Sequence, residues 1–546
     1  MPLSSDDLEH PTLNCTLRGT PSASTLQFRN LKYASIPARY QESTPNDELS
    51  AGADGVFDAT RFGPSCPQKR GAQALDLLLF LGNVTLPCEE GQGETEKMGE
   101  FECLHVNVTV PKSSSEAGKR ASSGLPVFVW VHGGGLSIGS NNWPQYDLRK
   151  LVERSVEVGK PFIGVAINYR VNAFGLLASD EIESAGNMGF KDQGLAFRWI
   201  KKHIAGFGGD PNNITAAGES AGGISLSTLL CADLGSEGLF NRVVVMSGDT
   251  TLRKPRNKWW QQKMYEDQAQ ILGLQETVTE ELKRVFLDTD AEELAQKLPL
   301  AQHFSGYVDG EWLPEEVTHA KMADGQHIQH KPTWCAEFVT GDTEHDGLVL
   351  KGRVIDRPHA LDRLKAACAL HLTEAETERL LSAYKLNEAL STEQQQTTLL
   401  ALTSELRFYL PALKNYEGWK TSSSPKLASR YHFHVPNPFN GALKGLAAHE
   451  LDVAYLFQHF NDQFDEKDRR IAKGLADRFI NFANGEGWVE KGKVVVFGPD
   501  EIVEVDEKEY DALYRGGRGR VLESIDADKL WKVADVWQGV RSEDEE

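Results

Sequence analysis

The sequence is poor in paired cysteines, in long apolar runs and in positive charge, and each shortage removes a class of function. Seven cysteines (Cys15, Cys66, Cys88, Cys103, Cys231, Cys335, Cys368) are scattered along 546 residues, and no two stand as Cys-x-x-Cys. A zinc site of that kind is therefore not expected. No apolar run approaches the roughly 20 residues that cross a bilayer, so no membrane span is expected either. The opening MPLSSDDLEHPTLNC has neither the basic n-region nor the apolar h-region of a secretory signal,. The expectation is a cytoplasmic protein. Asn-x-Ser/Thr sites at Asn14, Asn83, Asn107 and Asn213 keep a secreted form as the alternative, although the last two fall in strand-like runs,. A formal charge of −21 leaves no basic face for phosphates, which excludes a nucleic-acid partner,. The one Arg-Gly stretch, RGGRGR at 515–520, reads as a basic turn next to the acidic end SEDEE,.

What remains is an ordinary globular composition, 40% hydrophobic and 25% charged, on a chain long enough to bury a large core,. No repeat and no long linker divides it. The stretches KSSSEAGKRASSG (112–124) and TSSSP (421–425) read as surface loops,. Short β-branched runs alternate with helical patterns: LPVFVWV (125–131), PFIGVAINYR (161–170), the helical DQGLAFRWIKKHIAGF (192–207), NIT (213–215), then NRVVVMSG (241–248). TWCAEFVTG (333–341) and SRYHFHV (429–435) add two later strands. Continuous apolar strands separated by helices predict an α/β fold, a largely parallel sheet covered on both faces. One domain, 1–546, with helical insertions is the economical organisation.

The chemistry gathers around AAGESAGGIS (216–225). A serine between two glycines at the end of a strand is a candidate nucleophile elbow, with Gly218 and Gly222 permitting the tight turn and Ser220 at its tip,. Serine is a poor nucleophile without a histidine to take its proton and a carboxylate to orient that histidine. The oxyanion also needs backbone donors. His132-Gly133-Gly134-Gly135 ends a strand upstream and offers them, with the amide of Ala221 as a further donor. A phosphate loop is excluded there because no lysine follows Gly139,. VTGDTEHDGLVL offers three acids, Asp342, Glu344 and Asp346. His449, after a strand and before an amphipathic helix, is the favoured base over His359, His371 and His459, which sit in helical or charged contexts. His432 and His434 alternate in HFH, but without an evident acidic or cysteine partner no metal is assigned to them,.

The segments HGGG, NYRVNAFGLLAS, NMGFKDQGLAFRWIKKHIAGFGGDPNNITAAGESAGG and LFNRVVVMSG resemble the type-B carboxylesterase family, which includes cholinesterases and fungal esterases and lipases. The likeness runs from about residue 19 to 488 and is strongest with fungal members. It implies an α/β-hydrolase fold and ester hydrolysis through an acyl-enzyme, with no cofactor and no metal. It implies Ser220 as nucleophile, Asp346 as acid, His449 as base, and Gly134, Gly135 and Ala221 as oxyanion donors. The family's acid is usually glutamate, so the aspartate is a departure; FECL (101–104) is another. A Cys66–Cys103 disulfide is implied, closing a segment over the gorge, and Ser247 matches a buried serine near the triad; a helix N-cap is the equal alternative for it.

That segment, 67–102, carries LDLLLFLG (75–82), expected either as a short helix packed on the body or as a flap over the site,. The resulting expectation is a serine hydrolase of short- or medium-chain carboxylic esters with a small-molecule ester as its partner. Alternatives are an inactive cholinesterase-like scaffold, an acyltransferase or a lipase. Neither the natural ester nor the oligomeric state is written in these motifs.

Overall fold

The computed structural model describes residues 6–112, 124–235, 237–274, 279–300, 302–422 and 427–541. Residues 113–123 of the expected surface loop at 112–124 and most of that at 421–425 lie outside the described residues, as does the acidic end. The centre is an eleven-stranded sheet. In chain order its strands are β1 (Thr20–Pro21), β2 (Thr25–Lys32), β3 (His105–Pro111), β4 (Leu125–Val131), β5 (Ile163–Ile167), β6 (Gly209–Glu219), β7 (Arg242–Met246), β8 (Glu337–Thr343), β9 (Leu427–Phe433), β10 (Lys493–Phe497) and β11 (Ile502–Asp506). Across the sheet they run β11-β10-β9-β8-β7-β6-β4-β5-β3-β2-β1. The inner strands from β10 to β5 are parallel, and the pairs β10/β11, β5/β3, β3/β2 and β2/β1 are antiparallel.

The strand β4 explains the layering. Successive side chains of a strand point to opposite faces. Val127, Val129 and Val131 join an apolar cluster with Phe197 and Ile200 of helix Met188–His203 and Ile224 and Leu229 of helix Ala221–Cys231. Phe128 and Trp130 join the opposite cluster with Phe479 and Ile480 of helix Glu466–Ala483. With both faces covered, the strand must be apolar throughout, which is how it reads. A third cluster, around helices Ala360–His371, Thr392–Ser404 and Ala527–Gln538, is the helical insertion. The long helix begins one turn earlier than its pattern predicts, at Met188.

Candidate active site

Strand β6 ends at Glu219, and helix Ala221–Cys231 begins one residue after Ser220. Ser220 itself takes φ 52°, ψ −118°, outside both regular conformations. Its N–H donates to the Met246 carbonyl at 2.9 Å, and its own carbonyl accepts from Ile224 N–H at 2.8 Å, so both sides of the turn are pinned. Two glycines make the turn possible by absence of a side chain: a Cβ on Gly222 would lie 2.0 Å from the Val131 carbonyl oxygen, and one on Gly218 would lie 2.6 Å from Gly222. The elbow therefore nests against the end of β4, from which the His132–Gly135 loop departs. In that loop Gly134 has φ 102°. His132, buried and held neutral (burial lowers it to about 4), stacks on Tyr169 and accepts no solvent contact; Tyr169 Oη–H donates to the His132 carbonyl at 2.8 Å. Ala221 is the first residue of its helix, where an amide has no intrahelical acceptor,. Gly134, Gly135 and Ser220 line one pocket of about 170 Å³.

His449 sits between β9 and helix Leu451–Leu456, beside an isolated bridge that joins Ala448 to His345. Its Nδ1–H donates to Asp346 Oδ1 at 2.6 Å. Asp346 is fully buried and also accepts from the Thr343 N–H and Oγ1–H, each at 2.9 Å. The other two candidate acids are engaged elsewhere. Asp342 accepts from His432 Nδ1–H at 2.6 Å and from Arg515 at 3.1 Å; although burial opposes it, these two partners hold its carboxyl down to about 2. Glu344 faces His434 Nδ1 at 3.3 Å. The HFH histidines thus do have acidic partners, contributed by the neighbouring strand β8 and the residue just past it. Arg515 and Arg518 of the Arg-Gly stretch are bound inward to Glu405. Of the competing histidines, His459 Nε2 bonds the Asp147 carbonyl at 2.7 Å, His359 is exposed beside Asp362, and His371 ends its helix.

Three neighbours of His449 carried no signal in the sequence. Glu219 Oε1 lies 3.0 Å from His449 Nε2, and the rings of Phe80 and Phe408 flank the imidazole at 5.5 and 5.3 Å. Burial pulls the imidazole down, but the charges of Glu219 and Asp346 outweigh it and hold its pKa well above the ordinary value. Burial in turn raises Glu219. Behind them lie more buried carboxyls: Asp76 and Asp452, each pushed up to about 7 by burial and by Glu219, and Glu450, pushed well up by burial and by Asp76. Tyr146 donates to Glu450, Gln145 Nε2–H to Asp76 at 3.0 Å, and Tyr431 to Asp452 at 2.8 Å.

Cys66 and Cys103, for which the resemblance implies a bridge, stand in the structure as separate thiols. Both thiols are buried, and the neighbouring Cys66 and burial together raise Cys103 far above its ordinary pKa. Ser247 is buried at φ 44° after β7 with no helix following it, so it is not an N-cap. Asn107, one of the four glycosylation motifs, is buried in β3 and bonded to Asn141 and Asn142. No helix among the described residues is long and apolar enough to cross a membrane. Among the described residues, one group has ligand atoms close enough for a metal, Glu315, His327 and His330; none of the three lines the pocket at Ser220.

The sequence profile described as the Carboxylesterase family matches residues 11–495. Lipase 3 of Yarrowia lipolytica is 28% identical over 491 residues, covering 88% of this chain and 89% of its own. The para-nitrobenzyl esterase of Bacillus subtilis is 29% identical over 489 residues, covering 86% and 88%. A solved PNB esterase superposes with a TM-score of 0.70 at 23% identity over 95% of this chain and 99% of its own, which shows the shared fold.

Proposed function

We propose, from the premise that this chain belongs to the carboxylesterase family and is a carboxylic ester hydrolase, that Ser220 is its nucleophile, His449 its general base and Asp346 the orienting acid. Ser220 Oγ attacks the ester carbonyl as its proton passes to His449 Nε2. The N–H groups of Gly134, Gly135 and Ala221 receive the oxyanion. The imidazolium then protonates the departing alcohol, and a water deprotonated by the same nitrogen releases the acid. The Glu219 carboxylate, 3.0 Å from Nε2, adds negative charge that stabilises the imidazolium.

The observation that carries the reading is the pairing of a fully buried Asp346 with His449 at 2.6 Å, with His449 Nε2 in turn 3.0 Å from Glu219, the residue before a serine held at φ 52°. A pocket of about 170 Å³ suits short or medium acyl groups. The chain 1–546 acts as one catalytic unit, and segment 67–102 forms part of the pocket wall through Leu79 and Phe80. Water is the acceptor in this reading; an acyltransferase would differ only in admitting an alcohol. The test is Ser220→Ala with fluorophosphonate labelling. Turnover of an aryl ester should fall by about 10⁴-fold or more, and the probe should label Ser220 alone. Labelling of another serine, with turnover surviving in the variant, overturns the assignment.

A further inference from the structure

The pocket at Ser220 is apolar for most of its wall, yet three arginines, Arg253, Arg353 and Arg407, are set into that wall together with His303. Arg407 owes its place to a π-helical turn, Glu405–Tyr409, which interrupts the helical run and turns Arg407 and Phe408 toward the pocket while Glu405 faces the other way, onto Tyr384 and Arg518. Such turns often mark functional positions.

The charges here do not balance. Asp535 spends one oxygen on Arg407 and the other on Arg256, each at 2.7 Å. Arg253 makes one long bond, 3.4 Å, to the Gln302 carbonyl. Among the described residues, neither Arg253 nor Arg353 has a carboxylate within ion-pair distance. Burial, with the like charges of Arg353, Arg407 and Arg256, lowers Arg253 to about 9, and the same arginines add to burial in keeping His303 neutral. Among the described residues, neither ring nitrogen of His303, both buried, has a hydrogen-bond partner. Guanidiniums held in an apolar cavity without counter-charge are costly, and pairing is what relieves the cost. The guanidinium fork matches a carboxylate in two parallel hydrogen bonds.

We propose that the natural substrate is an ester carrying a free carboxylate, such as a half-ester of a dicarboxylic acid, and that Arg253 and Arg353 bind that carboxylate while Ser220 attacks the ester. This rests on the assignment of Ser220 as nucleophile in the same pocket. His303 Nδ1 or Nε2 supplies a further, neutral donor to the anion. The apolar wall between takes the methylene chain that separates the two carbonyl carbons.

The test compares 4-nitrophenyl hemiadipate with 4-nitrophenyl hexanoate, equal in chain length and differing in one terminal charge, after subtraction of the uncatalysed rates. A second pair places the charge on the alcohol half, as the butyrate ester of 4-hydroxybenzoate against phenyl butyrate. In the unaltered protein kcat/KM should favour the anionic member of at least one pair by about tenfold or more, the scale of a hydrogen-bonded charge pair. In Arg253→Gln and in Arg353→Gln that ratio should fall toward one. If the neutral ester is turned over as well as the anionic one in both pairs, the anion site is wrong and the esterase assignment stands. If no ester is hydrolysed and fluorophosphonate leaves Ser220 unlabelled, the assignment beneath it fails instead.

Discussion

Asp346 and its two near neighbours show how one side chain's surroundings decide its chemistry. Asp342, Glu344 and Asp346 lie within five residues at the end of one strand. Asp342, inside the strand, meets His432 and Arg515, while Glu344, just past its end, is exposed beside His434. Only Asp346 reaches His449. Replacing it by asparagine keeps the shape but favours the wrong imidazole tautomer, so Asp346→Asn should lower kcat by about 10⁴-fold. Glu344→Gln should stay within about threefold. Steady-state kinetics on one aryl ester reads both, and a crippled Glu344→Gln would move the acid to Glu344. Glu219 belongs to the same scale. Its neighbour in sequence announces an elbow, but nothing in the letters says that the glutamate turns back toward the histidine.

Among the elements, helix Ala72–Phe80 is the one whose role the sequence left between two readings, and the structure contains part of each. Ala72, Gln73, Asp76 and Leu77 are buried, and Gln73 and Asp76 are bonded to Gln145. Beyond its end, Leu81 accepts from Asn437 and Asn83 N–H donates to Asn440. Before its start, Gln68 exchanges two bonds with Gly139. Of the other five side chains, Leu78 at 53% and Leu79 at 49% exposure are the large exposed ones, and Leu79 also lines the pocket beside Phe80. An element tied on both flanks through buried polar groups resists opening, and two leucines give little area to a lipid surface. Activity on a medium-chain ester should therefore rise smoothly through its solubility limit, with Leu78→Ser behaving like the parent. A jump at that limit, lost in Leu78→Ser, would identify the helix as an interfacial lid.

Over the whole molecule, the buried carboxyls behind the site couple stability to pH. Asp76 in the folded protein is raised to about 7 from an ordinary value of 3.8, chiefly by burial. Between those two values the unfolded chain has lost the proton and the folded one keeps it. The contribution is fully present below the unfolded pKa and is lost as pH rises through the folded one, so stability falls with pH across that window. Asp76→Asn keeps an acceptor for Gln145 and cannot ionise. Its unfolding free energy should fall less between pH 5 and pH 8 than that of the parent, by on the order of 2 kcal/mol. Urea unfolding at the two pH values measures this; equal slopes for both proteins would show that Asp76 does not carry the proton. The excess of positive charge at Arg253 and Arg353, a short way along the same pocket wall from Ser220, is the opposite imbalance in one molecule of net charge −21.

Strands and the elbow were determined by sequence alone, because each is set by local physics. The runs 125–131, 241–248 and 333–341 are apolar wherever a strand is covered on both faces, and in Gly-Glu-Ser-Ala-Gly a side chain on Gly218 would meet Gly222 within the same turn, even before the turn is packed against Val131. The fold class followed from their alternation with helices, and the His449 position from its place after a strand. What only the tertiary structure decided is everything that depends on charge brought together from afar. Glu219 against His449, Asp76 and Asp452 near both, and the arginines around Asp535 come from segments far apart in the chain. Their protonation is set by burial and by one another, and neither is a property of any single stretch of residues.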